Sequence, residues 1–159
     1  MKKTFTFDSV PSSPSDIKAS TDPFETAAVV AAVLCNYKND IQSTIEMLDI
    51  LKGPDSVSQY EIQFLRDRLR GKEYKPYSFF KGASPANGYT PLMPLTVDVE
   101  DSPYSYTSEN YATLYLRSSG ADSPRGIRLR KKPSTGEWFL TEQFLLSDIR
   151  IPVQEDPWS

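Results

Sequence analysis

With 159 residues, 38% of them hydrophobic and 25% charged, the chain has the composition of one ordinary folded domain, not of a disordered polymer. It has no histidine, and Cys35 is its only cysteine, which excludes Ser-His-Asp and Cys-His nucleophilic centres, Cys/His zinc sites and intrachain disulfides. A formal net charge of −3 argues against a general nucleic-acid binder.

Residues 1–21 read as an N-terminal extension, in which Thr4 to Phe7 can add an edge strand. Lys2 and Lys3 could open a signal peptide, but Thr4-Phe5-Thr6-Phe7-Asp8 supplies no apolar core for one. The longest apolar run, Ala27 to Cys35, is nine residues, far below the roughly 20 needed to span a bilayer. A cytoplasmic protein without a membrane segment is expected.

Residues 22–72 form the helical half. Asp22-Pro23-Phe24-Glu25 is a start signal, with Asp22 as N-cap, Pro23 at the first helical position and Glu25 placed to complete a capping box. The helix that follows, to about Asn36, is apolar on nearly every side, as a helix surrounded by protein should be. Cys35 belongs to that run and reads as a small buried hydrophobe. Asp40 caps a second helix with Ile41, Ile45, Leu48 and Leu51 inward, ended by Gly53-Pro54. Ser58, Glu61 and a Val57/Ile62 staple open a third, with Ile62, Leu65 and Leu69 inward and Gly71 after its end. Arg66, Arg68, Arg70 and Lys72 crowd that C-terminus, where the helix dipole favours cations.

Residues 73–94 are a loop of turn-forming residues. From 95 to 151 the period becomes two: Leu95, Val97 and Val99, then Ala112, Leu114 and Leu116, then Ile127 and Leu129 alternate with polar neighbours. Trp138-Phe139-Leu140 is apolar on both sides, which predicts a covered strand after the Ser134-Thr135-Gly136 turn. Phe144 to Ile151 fits either a bent strand or a short helix, and 152–159 is a tail. Helices followed by strands predict a single α+β domain, residues 1–159, with N-terminal helices on one face of a C-terminal antiparallel sheet.

Two constellations are candidate sites. If the strands around 111–117 and 125–132 form a hairpin, only odd-with-even pairing keeps Leu114 and Leu116 on the face of Ile127 and Leu129. The opposite face then carries Tyr111, Tyr115 and Arg117 beside Arg128, Arg130 and Lys132. Interleaved basic and aromatic side chains are how single-strand platforms are built, while a merely solvated sheet face has the same composition. The second constellation is an aromatic loop surface of Tyr77, Phe80, Tyr89, Tyr104 and Tyr106, which either lines a pocket or seals the junction between helices and sheet. Among carboxylates, Asp98 with Glu100 and Glu137 with Glu142 are the pairs open to acid/base chemistry, with no diagnostic spacing.

Gly53-Pro54, then Phe64-Leu65-Arg66-Asp67-Arg68-Leu69-Arg70-Gly71-Lys72, Arg117-Ser118-Ser119-Gly120-Ala121-Asp122-Ser123-Pro124-Arg125, Trp138-Phe139-Leu140 and Glu155-Asp156-Pro157-Trp158 carry a resemblance. Over about Pro14 to Trp158 the chain resembles an uncharacterised family of small bacterial proteins, a domain of unknown function found largely in gut Firmicutes. The resemblance implies a bacterial domain and no particular chemistry. The expectation from the residues is a non-catalytic binding or interaction module without metal or cofactor, its partner a protein or small anionic ligand in preference to nucleic acid. A histidine-free carboxylate hydrolase and a structural partner in an oligomer are the alternatives.

Overall fold

Helix α1 (Pro23–Cys35) has no polar face to give to water, and the fold is built around it. The structure, a computed structural model, describes residues 1–159. Ala27, Ala28 and every residue from Val30 to Cys35 of α1 are buried, and the helix touches all five strands of the sheet. Each fully buried Val or Leu there contributes about 1.5–3 kcal/mol. Asp22 caps α1 by accepting the Phe24 N–H at 2.9 Å. Glu25 does not complete the box, because the Ser20 hydroxyl already accepts the Asp22 N–H at 3.0 Å.

The strands are β1 (Lys2–Phe7), β2 (Leu95–Glu100), β3 (Tyr111–Leu116), β4 (Arg125–Lys131) and β5 (Trp138–Gln143), an antiparallel sheet in sequence order β1-β2-β3-β4-β5. Together with the helices of the N-terminal half this is an α+β fold. Leu95, Val97, Val99, Ala112, Leu114, Leu116, Ile127 and Leu129 all point at α1 and are fully buried. The opposite face has no helix on it. Strands β2 and β3 pair only at Glu100 and Tyr115. Beyond that point residues 101–110 run beside β3 instead, with the Thr113 N–H on the Ser105 carbonyl at 3.0 Å.

Strand β5 is an edge strand, so the covering predicted for Trp138-Phe139-Leu140 comes from α1 and the second helix on its inner side and from loops at its edge, not from flanking strands on both sides. Trp138 bridges to Ser20, and the Phe139 ring lies against Gly53, where a Cβ would fall 2.4 Å from it. Helix α2 (Ile41–Lys52) is capped by Asp40, whose carboxylate accepts the Ser43 N–H at 3.0 Å. Its inner face is Thr44, Met47, Leu48 and Leu51, whereas Ile41, at the first turn, is 51% exposed.

Helix α3 (Gln59–Leu69) has the complete capping box of Ser58 and Glu61. Only Leu65 and Leu69 of it are buried, and Ile62 is half-buried. The helix stands off the sheet edge. The stretch 144–151 is neither strand nor helix. Lys75 Nζ donates to the Leu146 carbonyl at 2.9 Å and Arg125 Nε to the Ser147 carbonyl at 2.8 Å. Side-chain donors thus replace a ladder and let Leu145, Leu146 and Ile149 turn into the core.

Candidate functional site

The β3–β4 hairpin pairs Tyr111 with Arg130, Thr113 with Arg128 and Leu114 with Ile127, which is the odd-with-even register that the apolar pattern demands. The open face of the hairpin therefore carries Tyr111, Thr113, Tyr115, Arg128 and Arg130. Two cations converge on one ring. The Arg128 guanidinium is 4.7 Å and the Arg130 guanidinium 5.5 Å from the Tyr111 centroid. Such contacts contribute about 0.5–1 kcal/mol each at exposed sites and restrict long side chains. Neither guanidinium takes part in any of the seven ion pairs of the chain. Their donors remain available to carboxylate or phosphate, which a planar guanidinium meets with two parallel hydrogen bonds.

The other residues predicted for this face divide. Lys132 is exposed just past the end of β4, two residues beyond Arg130. Tyr115 faces Gly126, and its ring, together with that of Phe144, borders the space a Gly126 side chain would fill, at 3.7 and 3.9 Å. Arg117 is held elsewhere, its Nε 3.2 Å from Glu100 Oε1. The β1–β2 side of the face is self-compensated in the same way. Asp98 lies between Lys81 at 3.7 Å and Lys2 at 3.9 Å and accepts the Thr4 hydroxyl.

The aromatic loop residues do not form one surface. Tyr77, Phe80 and Tyr89 belong to the core. The Tyr77 hydroxyl donates to the Cys35 carbonyl at 3.2 Å, and burial pushes the phenol up to about 12. The Tyr89 hydroxyl donates to the Arg150 carbonyl at 2.5 Å, with its ring stacked on Tyr74. Tyr104 and Tyr106 are exposed on the 101–110 loop. Tyr106 donates to Asp101 at 3.2 Å, and partial burial, then the Asp101 charge, push its phenol up to about 12.

The sequence reading missed a groove. Between α3 and the edge strand β5 lies a cavity of about 700 Å³. Leu34, Leu48, Leu65 and Leu140 contribute to its lining, as do Tyr60, Phe64 and Phe144. Lys52 also borders it, its side chain only 8% exposed and its Nζ 2.7 Å from Glu61 Oε2 and 3.1 Å from the Thr141 carbonyl oxygen. The one signal in the sequence was Lys52 itself, a cation in the last turn of an otherwise apolar stripe. The helix dipole by itself accounts for a cation at that position, so the residue type alone does not reveal the groove.

No three Asp, Glu or Cys side chains converge as metal ligands do, and no helix is long and apolar enough to cross a membrane. No curated protein and no solved structure matches the chain. A family model described as a domain of unknown function matches residues 6–153. That match covers the three helices, the end of β1 (Thr6 and Phe7) and the rest of the sheet, so the chain belongs to the DUF6935 family.

Proposed function

We propose that the protein is a non-catalytic binding module whose open sheet face takes a carboxylate-bearing or phosphate-bearing partner, above all an acidic protein segment. The observation that carries this reading is the pair of guanidiniums gathered over Tyr111 without an acidic partner. Elsewhere on the face Asp98 and Glu100 absorb Lys2, Lys81 and Arg117. Only the β4 side keeps free cations: Arg128, Arg130 and Lys132. Because the net charge is −3, attraction of an anion has to come from this local field and not from the chain as a whole.

The carboxylates suited to a hydrolase are less well supported. Asp98 and Glu100 serve as ion-pair partners on a half-exposed face. The test is fluorescence anisotropy of a labelled hexaglutamate peptide titrated with protein at several salt concentrations. Saturable binding that weakens as salt rises is expected. Absence of binding at low ionic strength contradicts the reading.

A further inference from the structure

The groove beside α3 and the cations over Tyr111 adjoin across a single strand. Arg128 pairs with Glu142 in the β4–β5 register, and Glu142 lines the groove. Phe144 belongs to both places: its ring borders the space beside Gly126 on the open face, and it lines the groove as well. A smaller cavity of about 220 Å³ joins them along the same edge, bordered by Arg130, Lys131, Lys132 and Phe139 and sharing Lys52, Asp55, Leu140 and Thr141 with the larger one. An open face bearing free cations thus adjoins a recess backed by leucines and aromatic rings, with Glu142 between the two.

Accepting the binding reading above, on which this step rests, we infer that the partner is an extended peptide segment carrying two kinds of anchor. Its acidic residues meet Arg128, Arg130 and Lys132, and one bulky apolar side chain enters the α3–β5 groove. The charge pattern of the track defines the segment. From β4 across β5 to the groove is two strand spacings, about 10 Å, or about three residues of extended chain. Glu142 is in no ion pair and stands on the path between the anchors, so the residues crossing it should be neutral or basic. The apolar end has a hydrophobic floor and exposed aromatic walls, with Tyr60 79% and Phe144 51% exposed. Exposed rings around an apolar floor are the arrangement in which one aromatic anchor gains most from leaving water.

Two labelled peptides test this. One carries three glutamates, a Ser-Lys-Ser spacer and a tryptophan, and the other has serine in place of the tryptophan. The tryptophan peptide should bind the wild type tighter by about tenfold or more, the usual effect of burying one large apolar side chain. Tyr60→Ala combined with Phe64→Ala, two rings that line the groove and not the open face, should abolish that difference and leave the serine peptide unchanged. Arg128→Ala combined with Arg130→Ala should weaken both. Amide chemical-shift changes along residues 58–68 of the wild type report groove occupancy independently of any variant. Equal affinity of the two peptides, or a tryptophan gain that survives loss of the groove walls, overturns the two-anchor proposal while the anion-binding reading stands. Failure of both peptides to bind overturns both.

Discussion

Lys52 Nζ sits 2.7 Å from Glu61 Oε2, and this one contact ties the end of α2 to the first turn of α3. The same ammonium donates to the Thr141 carbonyl on β5 at 3.1 Å. Three elements around the groove thereby share one cation. Replacing Lys52 with Met keeps the apolar stem but leaves the Thr141 carbonyl without its donor. The expected loss is about 1 kcal/mol, the net contribution of a hydrogen bond whose acceptor, half-buried at the groove, can turn to water. Urea melts of the variant should show it. Glu61, 36% exposed at its side chain, can turn to water, so Glu61→Gln should cost less.

A second contact is set by the absence of a side chain. A Cβ at Gly120 would fall 2.2 Å from the Tyr89 hydroxyl and 2.8 Å from Ile149 Cγ2. Gly120→Ala should therefore destabilise the fold by about 1–3 kcal/mol, as overpacking does. Tyr89→Phe removes the nearest of the obstructing atoms. The double variant should be more stable than the sum of the two single effects predicts, and a double-mutant cycle on melting free energies measures the coupling.

Cys35 is buried in α1 and has no disulfide partner. Burial raises its thiol pKa far above the ordinary range, and the nearby charge of Lys38 offsets little of that. Labelling with a thiol reagent at neutral pH should proceed only as fast as the protein opens. Rapid stoichiometric labelling of the native protein would contradict the packing of α1.

The buried phenols set an alkaline limit. Tyr77 is raised from 10.0 to about 12 by burial, and Tyr89 is raised for the same reason. A raised pKa means that the folded state holds its phenolic proton where the unfolded chain has released it. Stability from Tyr77 is therefore complete below pH 10 and lost as pH climbs towards about 12. Chemical melts across that window should show a falling midpoint. Tyr77→Phe, although less stable at pH 7 for want of the Cys35 carbonyl bond, should show a shallower fall.

The elements with strong local signals were legible in the sequence. The caps at Asp22, Asp40 and Ser58, the all-apolar α1 and the hairpin register follow from residue types and the period-two pattern. What could not be read depended on partners remote in sequence. Arg117 looked like a free cation until the fold brought Glu100 beside it. Tyr77 and Tyr89 looked like loop aromatics because their hydroxyl acceptors, the Cys35 and Arg150 carbonyls, lie 42 and 61 residues away. Phe144 to Ile151 carried no period because its backbone is held by Lys75 and Arg125. The groove is an absence of packing between α3 and β5, and sequence pattern encodes what packs more directly than what does not.

The difference between Arg128 with Arg130 on one side and Arg117 on the other tests the central claim most directly. All three lie on or next to the same sheet face, yet Arg117 is already paired with Glu100 at 3.2 Å while the other two are gathered over Tyr111. The measurement is anisotropy of hexaglutamate with Arg128→Ala/Arg130→Ala and with Arg117→Ala, at low and at physiological salt. The double variant should lose most of the binding and most of its salt dependence, and Arg117→Ala should weaken binding far less, since that guanidinium is already neutralised by Glu100. Equal loss in both variants, or binding untouched by the double substitution, would contradict the assignment of the face.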